Sequence, residues 1–351
     1  MVSSILMLLL VGAGLAPRVR ADQVVMSDAN YPGARIVGME RGQLRFRSAD
    51  GGLHNVWLDE VELILVDRHG LFDDFNQAER FRGEGQAARA VLRYRRAHRL
   101  AEDFWVDLIA ARMLLACDAA EQLDNAVLNF IRVAQGTHAG LPAAARLLPE
   151  AIPPERTKRA QRAIEQLHAA ESKDSEKGHQ ALFQLLRFEI LRRTGDARAE
   201  LLAPHAGDLA IPAEARTPEV YAIVLHALRA WLRGEITAPG LAALDRALGT
   251  CPEGAMPGLL LLKGETLQRT AATRDQMLRA AWPLMRVAIH FPDSPEAPEG
   301  LYGTARILAR IGRADKAADL LAECIAHESV SEETRAAAMA ARADLPPEAG
   351  P

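Results

Sequence analysis

Cysteine, aromatic side chains, lysine and long apolar runs are all scarce in this chain, and each shortage removes a class of protein. The three cysteines in 351 residues, Cys117, Cys251 and Cys324, lie far apart with no C-x-x-C pair, so they do not form a disulfide framework. Cys117 and Cys324 fall on the apolar rhythm of predicted helices and read as small buried thiols. Phe, Trp and Tyr reach only 5%, while alanine is abundant, which suits close-packed helix pairs better than sandwiched sheets. There is no basic excess. The formal charge is −4, and this balance argues against a nucleic-acid partner, which would call for a net basic surface. Lysine occurs only at 158, 173, 177, 263 and 316 among 42 basic residues, a bias that fits a GC-rich genome.

The only early apolar run, Ile5 to Ala16, is shorter than the roughly 20 residues that a bilayer crossing needs. Val19-Arg20-Ala21 follows it as a small-x-small site, so residues 1–21 are expected to be a signal peptide cleaved before Asp22. The expected location is therefore the periplasm or cell envelope, with no stable membrane span after cleavage. No lysine or arginine precedes the run, and Arg18 and Arg20 follow it, which is not the usual order.

Residues 22–70 differ from the rest. Gln23–Met26, Ala34–Val37, Gln43–Phe46, Val56–Leu58 and Val61–Val66 are short strand-like runs. They are separated by turn chemistry at Asn30-Tyr31-Pro32-Gly33, Glu40-Arg41-Gly42 and Asp50-Gly51-Gly52. Four or five strands in so few residues predict a small bent sheet or barrel. In pattern it resembles SH3-like or Sm-like barrels, which implies packing onto the helices or peptide binding.

From residue 71 the period becomes helical. Ala78, Ala90, Tyr94 and Ala97 stand at separations of 12, 4 and 3. Leu114, Ala126, Phe130 and Val133 repeat those separations, as do Ala305, Ala317, Leu321 and Cys324. In a helix hairpin these are the small and large residues that plug the interface. Here the chain resembles the tetratricopeptide repeat (TPR) superfamily. His290-Phe291-Pro292-Asp293-Ser294-Pro295 is similar to the junction between two such repeats in exported bacterial proteins. The layout also resembles uncharacterised exported proteins of planctomycete-type bacteria. The resemblance implies a mainly α fold, a TPR-like αα superhelical array of helix hairpins behind a small SH3/Sm-like β module. Helix pairs are expected over 71–136 and, in divergent form, over 156–342. A proline-rich linker is expected over 137–155 and a disordered tail over 343–351. Gly195, Gly234 and Gly312 read as inter-helix turns, and Pro283 predicts a kink or a new helix start.

The chemistry-bearing motifs are sparse. The ten histidines include no H-x-x-x-H or H-E-x-x-H pair, and there is no G-x-S-x-G elbow, Walker loop or G-x-G-x-x-G between strand and helix. No metal, cofactor or catalytic residue is expected. Asp73 and Asp74 read as N-terminal helix charges, and Glu102, Asp103 and Asp107 as solvated ones. Arg89, Arg93, Arg96 and Arg99 share a face, near Arg95 and His98, as a basic ridge or as an ordinary exposed helix face.

The TPR resemblance implies a concave groove lined by helix A positions. Those positions correspond to Phe72, Phe75, Glu79 and Arg82 in the first unit, and to Glu299, Tyr302, Arg306, Ala309 and Arg310 in the last. The leading expectation is a non-enzymatic adaptor or scaffold that holds a protein or peptide segment, acidic or C-terminal, in that groove. Two alternatives stay open. One is a structural envelope component that self-associates. The other is an accessory or degenerate enzyme whose β module binds a ligand through Asp28, Asn30, His54 and Asn55.

Overall fold

The computed structural model describes residues 22–346, apart from 41–42, 59, 68–70, 121, 137–151, 153–156, 172–176 and 235. The expected leader, nearly all of the expected linker and the end of the expected tail lie outside the described residues. The chain divides into two compact units, whose described residues run up to Gly136 in the first and from Ile152 in the second. Among the described residues there are five strands and fourteen α-helices, and no helix is long and apolar enough to cross a membrane.

The first unit opens with strands β1 (Asp22–Met26), β2 (Asn30–Glu40), β3 (Gln43–Arg47), β4 (Leu53–Trp57) and β5 (Val61–Leu65). They form one antiparallel sheet in the order β4-β3-β2-β1-β5. Period-two alternation puts Leu44 and Phe46 inside with Val24, Ile36 and Ile64. β2 is long because two ladders share it. Asn30–Ala34 pairs with β1 and Arg35–Glu40 with β3, and register breaks at both joins let the strand bend. The Asn30–Gly33 stretch, expected as a turn, lies inside this strand. Gly33 supplies the bend with a left-handed φ of 81°.

Four helices follow: α1 (Leu71–Gly83), α2 (Ala87–Leu100), α3 (Phe104–Ala119) and α4 (Leu123–Gly136). Each packs on the next, and α1 and α3 also touch the sheet. Ala78, Ala90, Tyr94 and Ala97 are fully buried, because small residues let the helix axes approach and the ring fills the space left between them. Asp107, expected at the surface, is buried on α3.

The second unit contains α5 (Thr157–Glu171), α6 (Lys177–Arg193), α7 (Arg198–Gly207), α8 (Pro218–Gly234), α9 (Ala238–Thr250), α10 (Met256–Thr270), α11 (Arg274–His290), α12 (Ala297–Arg310), α13 (Ala314–Ala326) and α14 (Glu332–Ala343). Consecutive helices pack together, and the alternate helices α8, α10, α12 and α14 also touch in sequence. Gly85 in the first unit and Gly195 and Gly312 in the second all adopt left-handed φ just after a helix, where a β-carbon would be penalised. The chain therefore reverses at Gly195 and Gly312, where turns were expected, whereas Gly234, the third expected turn, is the last residue of α8. A buried Glu189 ties α6 to α8: Arg192 and Arg193 donate to it at 2.7–2.8 Å, and His226 lies at 3.4 Å.

α11 runs unbroken through Pro283 instead of ending there. Its N-terminus is fixed by a reciprocal Thr273–Gln276 capping box. Its next residue, Leu284, is fully buried and enters a notch of three glycines. A β-carbon at Gly264 would stand 2.4 Å from Leu284 Cγ, one at Gly300 would stand 2.7 Å from the Leu284 carbonyl oxygen, and one at Gly303 would stand 3.0 Å from Leu284 Cδ1. Packing on both sides holds the helix across the missing hydrogen bond. Gly300→Ala should destabilise the protein by about 1–3 kcal/mol through overpacking. Gly249→Ala, which meets nothing within 4 Å, should stabilise by up to about 1 kcal/mol through helix propensity. Paired thermal melts followed by circular dichroism check both signs.

Candidate functional site

In the first unit Phe72, Phe75 and Glu79 of the expected groove are buried, and Arg82 is half-buried. Phe72 and Phe75 are buried, in ring contact with Trp105 at 4.7 and 6.1 Å, and Phe75 also meets Tyr94 at 6.0 Å. Glu79 is fully buried, and all four of its acceptor positions are used. Arg112 of α3 donates to it through Nε at 2.8 Å and Nη2 at 2.5 Å, the Ile64 amide donates at 2.9 Å, and the Tyr94 hydroxyl donates to the remaining site. Arg112 Nη1 also donates to the carbonyls of Leu58 at 2.9 Å and Val61 at 2.7 Å. Arg82 donates to the Val61 and Glu62 carbonyls and stands 3.7 Å from Glu79. Two turns earlier, the Asn76 side chain both donates to and accepts from Val66 at 2.8 Å.

Asn76, Glu79 and Arg82, spaced by three, thus form one polar stripe of α1 along the free edge of β5. A groove for a partner is not what Phe72, Phe75 and Glu79 build, because the chain's own sheet occupies that face. Burial by itself would raise the Glu79 carboxyl, but the Arg112 charge and its two hydrogen bonds outweigh it and the net shift is downward. Burial and then the Glu79 charge push the Tyr94 hydroxyl well above its usual value.

The basic ridge of α2 separates into two groups. Arg93 pairs with Asp74 of α1 at 2.7 Å, and Arg89 lies over the Phe81 ring at 4.1 Å. Arg95, Arg96 and Arg99 instead line a cavity between α2 and α4.

In the second unit, an open groove of about 820 Å³ runs over the four alternate helices α8, α10, α12 and α14. Arg229 comes from α8, Glu265 and Arg269 from α10, Glu299 and Arg306 from α12, and Glu333 from α14. Two expected residues, Glu299 and Arg306, are therefore in the groove. Tyr302 packs on the C-terminal core and supports Arg306, whose guanidinium lies 5.7 Å from its ring centre. Arg310 is exposed and is not among the groove residues.

Arg269 is engaged structurally. It donates to the Leu232 and Arg233 carbonyls and so caps the C-terminal end of α8. Among the described residues, no ion pair engages Arg229, Arg306, Glu265 or Glu299 within 4 Å. Glu265 and Glu299 keep a solvent-exposed edge, but the surrounding walls weaken their hydration and raise both carboxyls. Mutual repulsion with Glu265 and with Glu333 raises Glu299 further, against the opposing charge of Arg229.

Sequence reasoning missed Arg229, Glu265, Arg269 and Glu333. A signal was present, since Glu265, Glu299 and Glu333 recur at intervals of 34 residues, the length of one TPR. The α8 and α10 pairs depart from the small-residue pattern, so their helix A positions were not aligned.

The polar residues considered for a ligand site in the β module are dispersed. His54 stacks on Phe46 at 5.0 Å and meets Ser48 Oγ at 3.0 Å, Gln23 donates to Asn30 at 3.1 Å, and Asp28 and Asn55 are exposed. Among the described residues, no group of three or more His, Cys, Asp or Glu could hold a metal ion. No protein-family model matches the chain, and no curated protein matches it.

Arg112→Met strands the Glu79 charge in the interior and should cost the first unit about 3–5 kcal/mol. The double variant Glu79→Leu/Arg112→Met removes both charges and should recover part of that loss in a urea titration, the remainder reflecting the Ile64 amide and the Leu58 and Val61 carbonyls left without partners. With its folded pKa lowered, Glu79 contributes stability that is fully present above the ordinary glutamate value of 4.5 and lost as pH falls through the folded value. The acid limb of a stability–pH profile should be flatter in the double variant than in the parent.

Proposed function

We propose that this chain is an exported, non-enzymatic adaptor of the cell envelope, built as a TPR-like superhelical array behind an SH3/Sm-like module. Its groove holds a protein or peptide partner. The observation that carries this reading is the mixed Arg/Glu lining contributed by four alternate helices, with the glutamates 34 residues apart. A surface that repeats in this way matches an extended polypeptide better than a compact metabolite, because contacts recur along one direction. Arg229 and Arg306 offer paired N–H donors for carboxylates on an acidic or C-terminal segment. Glu265 and Glu299 line the same groove and set the charge balance.

Affinity capture from the host envelope fraction tests this. The parent chain should recover a defined partner, and Arg229→Glu/Arg306→Glu should lose it while keeping the parent's unfolding midpoint. Equal recovery by both would remove the groove from the proposal. Recovery of the chain alone, with mass in light scattering that grows with concentration, would point to a self-associating component instead.

The raised carboxyls add a pH test. As pH falls from neutral through their raised values, Glu265 and Glu299 lose charge and stop repelling an acidic segment. Affinity for the captured segment should therefore rise on acidification until the segment's own carboxylates begin to protonate. In Glu265→Gln/Glu299→Gln that slope should be absent in a binding series across pH.

A further inference from the structure

The cavity between α2 and α4 of the first unit holds about 490 Å³ and lies outside the reading above. Its lining brings together Arg95, Arg96 and Arg99 from the end of α2, Asn129 from α4, and two leucines, Leu92 and Leu128. The leucines are 60% and 39% exposed. Among the described residues, no carboxylate pairs with any of the three arginines, and none of the cavity's lining residues is acidic. Arg89 and Arg93 on the same helix are already engaged by Phe81 and Asp74, so α2 does not lack means to settle a guanidinium.

The helix C-terminus favours cations in its last turn. That accounts for basic residues there, but not for three of them facing one concavity with apolar side chains on its wall. Arg95 and Arg99 stand at i, i+4 and Arg96 and Arg99 at i, i+3, spacings at which like charges repel.

We infer that this cavity binds a phosphate monoester carrying an aliphatic group. A phosphate monoester brings close to two negative charges and three strong acceptors, a better match to three guanidiniums than a single carboxylate. Guanidinium takes such an oxygen pair through two parallel hydrogen bonds. Leu92 and Leu128 then cover the aliphatic part and leave water on binding. Among the described residues, no Phe, Tyr or Trp lines the cavity, and none of them offers a platform on which a nucleobase would stack. The volume lies within the range of small-molecule sites. The same chemistry is offered by a soluble alkyl phosphate and by a phosphate-headed lipid at a membrane surface.

The test is calorimetric titration of the full chain with octyl phosphate, inorganic phosphate and octyl glucoside. Octyl phosphate should bind at least about tenfold more tightly than either of the others, and Arg95→Gln/Arg99→Gln should weaken it by about tenfold or more. Leu92→Ser/Leu128→Ser should abolish the advantage of octyl phosphate over inorganic phosphate while leaving inorganic phosphate binding unchanged. Both variants are held to the parent's unfolding midpoint, and single substitutions replace any pair that misses it.

Equal binding of octyl phosphate and octyl glucoside would overturn the inference, as would equal binding of octyl phosphate and inorganic phosphate. Arginine variants that bind like the parent, or no heat with any probe, would do the same. Co-sedimentation with phosphatidylcholine vesicles doped with phosphatidic acid separates the two sources. Sedimentation lost in the arginine variant assigns a lipid headgroup, and octyl phosphate binding without sedimentation assigns a soluble ester.

Discussion

A single buried carboxylate governs the first unit. Glu79 accepts from Arg112, Tyr94 and the Ile64 amide at once, so it joins a helix, a second helix, a third helix and a strand at one point. Removing two charges from water is costly, and the pair is tolerable only because every lone pair and most of the guanidinium donors are used. The donors left over after Glu79 go to the Leu58, Val61 and Glu62 carbonyls. Those carbonyls lie at the entry to β5, where an unpaired strand edge would otherwise face the helices. Hydrophobic contact could hold a sheet near a helix pair at many registers. Hydrogen bonds between the side chains of Asn76, Glu79, Arg82 and Arg112 and named backbone atoms select one.

That arrangement decides which surfaces of the first unit remain open. There α1 and α3 turn toward the sheet, so the face expected to form a groove is filled by the chain itself. The free chemistry of the unit then lies on α2 and α4, where three guanidiniums border a cavity. In the second unit the alternate helices α8, α10, α12 and α14 carry no sheet, and their common face is an open groove with both signs of charge. One kind of helix pairing thus yields a fixed internal joint in one unit and an accessible surface in the other. The difference comes from whether a strand module packs against that face.

Much of the helical layout was legible because small residues at hairpin interfaces have few substitutes. Ala78, Ala90, Ala97, Ala305 and Ala317 are all fully buried, and the positive φ of Gly85, Gly195 and Gly312 closes turns that no β-branched residue could. The strands were legible through alternation, although Asn30–Gly33 looked like a turn and is the bent start of β2. The sequence was silent where a tertiary contact overrides a local signal. α7 was not foreseen because it is only ten residues long and carries Pro204. Pro283 marks an expected break that packing around Leu284 bridges. Glu79 and Asp107 carry charge and so read as surface, yet both are buried. No periodicity can reveal an arginine 33 residues further on that compensates Glu79.

The groove follows a different logic from the buried pair. In the interior, Glu79 and Arg112 meet at hydrogen-bond distance and settle each other, so nothing is left to offer a ligand. In the groove, Glu265 and Glu299 are near enough to Arg229 to feel its charge but have no ion-pair partner within 4 Å among the described residues, and their carboxyls are raised, not lowered. Such a lining gains from a third party, because a bound segment could bring carboxylates to the arginines and amide donors to the glutamates. Internally satisfied charges specify the fold. Charges that are held close yet unpaired by it remain available for recognition.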